Sequence, residues 1–127
     1  MGVFEGVRAY ETADGGAIFR LDDHTKRLFD AASKINISIP YSIPDLTQAQ
    51  KAAMIKNNLQ EGYIRPIVFL GSESMGLRSQ DALSVNVAIA CWEWPSYMDP
   101  EAKRNGISVV KSPFQQYDNP LYSNNKI

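Results

Sequence analysis

The stretch Gly62-Tyr63-Ile64-Arg65-Pro66-Ile67-Val68-Phe69-Leu70 constrains the fold more than any other part of this 127-residue chain. Its β-branched and aromatic content reads as a strand. Side chains alternate faces along a strand, so Ile64, Pro66, Val68 and Leu70 form one wholly apolar face. Tyr63 and Arg65 head the other face. Such a strand needs helices against its apolar side and leaves a ring and a guanidinium on the opposite surface. Pro66 has no N–H to give to a ladder, so the strand is expected to meet an edge or a bulge there. Near the N-terminus, Phe4-Glu5-Gly6-Val7-Arg8 repeats the arrangement, with Phe4, Gly6 and Arg8 sharing one parity. Rings beside a planar, permanently charged fork suit a small molecule with a carboxylate at one end and an apolar body at the other.

The remaining elements follow from local signals. Val3–Glu11 reads as a strand, Asp14-Gly15-Gly16 as a tight turn, and Ala17–Arg20 as the returning strand. Leu21 to Ile35 is helical in pattern, with Asp22 or Asp23 as cap and Leu28, Ala31, Ala32 and Ile35 as the apolar stripe. A second helix starts at Ser42-Ile43-Pro44-Asp45, where Ser42 and Asp45 stand in capping-box spacing. Leu46, Ala49, Ala52, Ala53, Ile55 and Leu59 are its expected buried side. Gly71–Asp81 reads as a loop, Leu83–Trp92 and Ile107–Lys111 as strands, and Asp99–Asn105 as a short helix. The order β-β-α-α-β-β-β predicts an α+β fold, a mostly antiparallel sheet with two main helices packed on one face.

Bulk properties exclude several classes of function. A formal net charge of −1 gives no electrostatic case for nucleic acid or an anionic membrane. The longest apolar run, Val85 to Trp92, is too short to span a bilayer, and no secretory signal opens the chain. One cysteine, Cys91, excludes an internal disulfide and fits a reducing, cytoplasmic compartment. His24 is the sole histidine, so no His/Cys metal cluster is expected.

Three segments in order, Val3 to Tyr10, His24-Thr25-Lys26-Arg27-Leu28, and Gly62 to Ile67, resemble the branched-chain amino acid aminotransferases, pyridoxal-phosphate enzymes of fold type IV. The resemblance runs from about residue 3 to about residue 112, and the three motifs together are far more specific than any one alone. It implies transfer of an amino group between Leu, Ile or Val and 2-oxoglutarate, with glutamate as the acidic partner and pyridoxal 5'-phosphate as cofactor. It makes Arg27 the phosphate ligand; without it, Arg27 reads as a solvated helix-face residue. Phe4, Gly6, Tyr63, Trp94 and Tyr97 match the positions lining the substrate side-chain pocket, and otherwise read as ordinary packing residues. Arg65 matches the arginine that engages carboxylate, with Arg8 on the same polar rim. Met75-Gly76-Leu77 resembles the loop that reaches into a neighbouring subunit's pocket, implying a homo-oligomer. Asn119, Leu121 and Lys126 reproduce the neighbourhood of the lysine that carries the cofactor and moves the α-proton. Lys126 is therefore the candidate catalytic residue, with a solvated terminal lysine as the plain alternative.

The resemblance further implies that residues 1–113 are the small N-terminal domain and 114–127 an interdomain segment, with the large domain beyond Ile127. The chain is thus expected to be a truncated piece of a longer enzyme, with little activity alone. Two other readings stay open: a non-catalytic fragment that binds small carboxylates or oligomerises, and a relative of the D-amino acid aminotransferases or aminodeoxychorismate lyases.

Overall fold

A computed structural model of the chain describes residues 1–73, 83–95, 98–114 and 126–127. Its elements are β1 (Gly2–Phe4), β2 (Val7–Thr12), β3 (Gly15–Ile18), α1 (Leu21–Lys34), α2 (Ile43–Lys56), β4 (Gly62–Leu70), β5 (Val85–Trp92) and α3 (Pro100–Asn105). All strand pairs are antiparallel. β4 is central, with β5 along one side, β1 and β2 in line along the other, and β3 outside β2.

The predicted strand Val3–Glu11 is divided in two, and Pro66 explains where. Phe4 faces Ile67 and Val7 faces Ile64, so the count is kept across the gap and Glu5-Gly6 stands opposite Pro66 and Arg65. The Glu5 N–H donates to the Pro66 carbonyl at 3.0 Å. In an antiparallel pair the N–H and C=O of one residue point to the same neighbour, so the missing N–H of Pro66 falls on this gap. The expected edge or bulge is corrected accordingly: β4 lies inside the sheet, and its neighbour is interrupted instead.

One face of the sheet is closed by α1 and α2. Val3, Val7, Ala9, Ile64 and Val68 are buried there with Leu28, Ala31 and Ala32 of α1 and Leu46 and Met54 of α2. Burying side chains the size of Leu28 and Ile64 contributes about 1.5–3 kcal/mol each. α2 opens with the expected capping box: the Ser42 hydroxyl accepts from the Asp45 N–H, and the Asp45 carboxylate accepts from the Ser42 N–H at 3.1 Å.

Four local expectations are corrected. The α1 cap position is Arg20, in a left-handed conformation with φ 50°, and Asp23 accepts from Arg20 Nε at 2.8 Å rather than capping the helix. The hairpin turn is Ala13-Asp14, since Thr12 pairs with Gly15. Ala49, Ala52 and Ile55 of α2 are exposed, whereas Thr47, Gln50 and Met54 are buried. Polar bonds turn the helix: Thr47 Oγ1 donates to Asp22 at 3.4 Å and Gln50 Nε2 to Thr25 Oγ1 at 3.0 Å, tying α2 to α1. Finally, 107–111 forms no strand. Val109 is 81% and Val110 94% exposed, and β-branched composition without a partner ladder does not hold a strand. Among the described residues no helix is long and apolar enough to cross a membrane, and no side-chain group could hold a metal ion.

Candidate active site

Neither α1 nor α2 covers the other face of the sheet, which is built from the alternate residues. Register places Arg8 against Tyr63, Phe4 against Ile67, and Trp92 against Tyr63 on β5. Directly opposed residues share a face. Phe4, Arg8, Tyr63, Arg65 and Trp92 therefore meet on one surface, as the strand parity required. Both guanidinium groups are on this side.

Rings form the wall. The Tyr63 centroid lies 5.1 Å from that of Trp92 and 4.9 Å from that of Trp94, and the two indoles are 5.3 Å apart. These tilted arrangements lie in the favourable range for aromatic pairs. Gly6 makes the packing possible, because a Cβ at that position would collide with the Tyr63 hydroxyl. The hydroxyl instead accepts from Arg65 Nη2 at 2.8 Å. The Arg65 Cζ is 4.7 Å from the Phe4 centroid and 5.1 Å from that of Tyr63. Two rings thus fix the guanidinium in place through their π faces. Its Nε is buried and has no hydrogen-bond partner among the described residues.

Arg8 is differently engaged. Its Nη1 donates to the Trp94 carbonyl at 3.2 Å, its Nη2 lies 3.8 Å from Glu61, and its Cζ is 5.7 Å from the Tyr10 ring. It secures the segment carrying Trp94 to β2. Lys126 reaches the same region from the outer edge of β1. Its carbonyl accepts from the Phe4 N–H at 3.0 Å, and its Nζ is 5.9 Å from the Phe4 centroid.

Arg27 is not part of this surface. It projects from α1 on the closed side, where its Nη2 is 2.6 Å from Glu5 Oε2. The Glu5 side chain is 1% exposed and that of Arg27 43%. His24 Nδ1 lies 3.0 Å from the same oxygen. Leu77 and Tyr97, together with Met75, Gly76, Asn119 and Leu121, lie outside the described residues.

Two contributors escaped the sequence reading. Trp92 reads in sequence only as a strand end, though counting register from Tyr63 places it on the wall. Glu5 shares parity with Val3 and Val7, which was the available sign of its burial. A cavity of about 780 Å³ between β3, the start of α1 and the end of α2 is lined by none of the predicted site residues. Chemically, the open face can clasp one carboxylate at Arg65 beside an apolar wall, with an amine nearby and a second cation on the adjoining strand.

Comparison with known proteins gives this geometry a family. The chain is 55% identical over 117 residues to the branched-chain-amino-acid aminotransferase of Pseudomonas aeruginosa, covering 92% of this chain and 38% of that protein. The crystal structure of the Escherichia coli branched-chain amino acid aminotransferase superposes with a TM-score of 0.74 at 38% identity, over 80% of this chain and 33% of that one. The T.th. enzyme of the same name, complexed with N-(5'-phosphopyridoxyl)-L-glutamate, superposes with a TM-score of 0.71 at 39% identity, over 74% and 32%. The chain thus spans about a third of the length of the relatives it resembles. Residues 2–126 match the family described as amino-transferase class IV, and the chain belongs to that family.

Proposed function

We propose that this chain supplies the small-domain wall of a branched-chain amino acid aminotransferase site, exchanging an amino group between Leu, Ile or Val and 2-oxoglutarate. The observation that carries the reading is Arg65, held between the Phe4 and Tyr63 rings with a buried, partnerless Nε among the described residues. A buried donor without a partner is costly, and a carboxylate oxygen satisfies it with a charge-assisted bond. Phe4, Tyr63, Trp92 and Trp94 exclude water from an aliphatic side chain, while Arg65 accepts the second carboxylate of the acidic substrate. Residues 1–113 then act as the small domain and 114–127 as the segment leading out of it.

The residues also suit pyridoxal 5'-phosphate. Arg27 offers a half-exposed guanidinium to its phosphate, and Lys126 an amine beside the substrate wall. When bound, the cofactor supplies the electron sink that makes the α-proton of an amino acid removable. In this reading Lys126 Nζ would take and return that proton, which requires the neutral amine. The names of the relatives and the phosphopyridoxyl glutamate bound to one of them support the same assignment.

Two measurements test it. Borohydride reduction of the chain with pyridoxal 5'-phosphate is expected to leave a phosphopyridoxyl group on Lys126, read by peptide mass spectrometry. Label on other lysines only, with glutamate still bound, would make the chain a carboxylate-binding module without chemistry. In a transamination assay of a full-length aminotransferase carrying this small domain, Arg65→Gln is expected to raise KM for 2-oxoglutarate about tenfold or more, against a smaller change for leucine. Equal changes for both would remove Arg65 from its role. The same reading includes a homo-oligomer, since Phe69, Val109, Val110 and Phe114 are exposed apolar residues, and a cytoplasmic location, which the single cysteine suits. Sedimentation showing only monomer at high concentration would refute that part.

A further inference from the structure

Among the described residues Glu5 is the only buried carboxylate, set in the row Val3, Glu5, Val7 and Ala9, each 1% exposed or less. An unpaired carboxylate there would be strongly unfavourable, yet both of its partners bind one oxygen, Oε2: Arg27 Nη2 at 2.6 Å and His24 Nδ1 at 3.0 Å. Stability alone does not account for it, because an apolar residue of similar volume commonly serves a fold as well as a buried ion pair. Nor does Arg27 need neutralising, since its side chain is 43% exposed. What the pair achieves is direction. A long, half-exposed arginine otherwise samples many rotamers, and a rigid acceptor on the strand removes that freedom.

We infer that Glu5 is a positioning residue: it grips Arg27 by one terminal nitrogen and presents the rest of the guanidinium outward to the cofactor phosphate. The inference rests on the phosphate role proposed for Arg27. Its second consequence is a fixed distance between two ends of the site. Phe4 and Gly6 shape the substrate wall on one side of the sheet, and Glu5, between them, sets the phosphate anchor on the other. The three residues are secured where the ladder is interrupted, by Phe4 N–H to the Lys126 carbonyl and Glu5 N–H to the Pro66 carbonyl, both 3.0 Å.

The test compares pyridoxal 5'-phosphate with pyridoxal, which lacks the phosphate, as ligands of the chain, and adds a readout that needs no cofactor. Glu5→Gln keeps the shape and removes the charge. It is expected to raise Kd for pyridoxal 5'-phosphate about tenfold, a usual penalty for losing the outer partner of a charged ligand, and to leave Kd for pyridoxal unchanged. In the unliganded chain, the NMR order parameter of the Arg27 Nε–H is expected to fall towards that of exposed Arg104. Arg27→Gln should abolish the preference for the phosphorylated ligand. If it does not, or if the unaltered chain has no preference, the role of Arg27 fails and the inference with it. If Arg27→Gln abolishes the preference while Glu5→Gln leaves both preference and Arg27 order intact, the inference alone is overturned. Should Glu5→Gln fail to fold by circular dichroism, Glu5→Asp, which withdraws the charge by one methylene, is judged by the same two readouts.

Discussion

The two faces of this sheet are made by the same strands and behave as different materials. Along β4 the closed face holds Ile64, Pro66 and Val68, all fully buried, while Tyr63, Arg65 and Ile67 between them remain half-buried. The closed face is aliphatic and tightly covered by α1 and α2, with one unpartnered oxygen, Gln50 Oε1, in the helical layer among the described residues. The open face is aromatic and cationic, and it retains a buried donor without a partner among the described residues. The difference teaches that the packed core and the proposed recognition surface are separated by one residue step along a chain. Glu5 is the exception, a charged group placed among the aliphatic residues.

Substitutions on adjacent residues probe that separation most directly. Ile64→Ala is expected to cost about 3 kcal/mol in urea unfolding, through lost burial and the cavity left behind. Arg65→Met, one residue on, should cost under about 1 kcal/mol while weakening carboxylate binding. Equal costs would abolish the distinction between the faces. Gly6→Ala comes next, at about 2 kcal/mol, because the Tyr63 ring is confined by two indoles and has little room to retreat. Its signature is a changed near-ultraviolet circular dichroism spectrum from the displaced rings.

A smaller effect tests the helical layer away from the site. Ser42→Ala should cost about 1 kcal/mol by removing the α2 cap, without altering ligand affinity. The Ser42 hydroxyl and N–H hold the Asp45 carboxyl below its ordinary 3.8. The folded state thus favours ionised Asp45, and that stabilisation is complete above pH 3.8 and disappears as pH falls below it through the folded-state value. Melting temperatures followed from about pH 5 to pH 2 should lose part of this slope in Ser42→Ala. Tyr63→Phe is the mildest change, about 0.5–1 kcal/mol, since it removes a single hydrogen bond to Arg65. It sharpens the comparison by asking whether the hydroxyl serves stability or merely aims the guanidinium.

Much of this was legible because it is periodic or local. Composition alone bounds β4 at Gly62 and Leu70, its alternation assigns both faces, and the Ser42–Asp45 box announces α2. What was missed depends on partners distant in sequence. The buried side of α2 was misplaced because Thr47 and Gln50 look like surface residues until Asp22 and Thr25 are beside them. Ile107–Lys111 has the composition of a strand, but pairing is a property of two segments. Of the candidate site residues, Phe4, Gly6, Tyr63, Arg65, Trp94 and Lys126 converge on one region, and Arg8 is spent on the Trp94 carbonyl. Arg27 lies across the sheet, linked through a glutamate whose parity with Val3 and Val7 signals its burial but not its partner on α1.

The proline in the middle of β4 has an evolutionary corollary. Pro66 has no N–H to bind the Glu5 carbonyl, so the Glu5-Gly6 peptide can tilt while the Glu5 N–H keeps its bond to the Pro66 carbonyl. Val3 and Val7, anchored in the core on either side, stop any such tilt from becoming a slip of the whole strand. Altered side chains at this joint can therefore be absorbed by small backbone adjustments, while the rest of the architecture is left as it was.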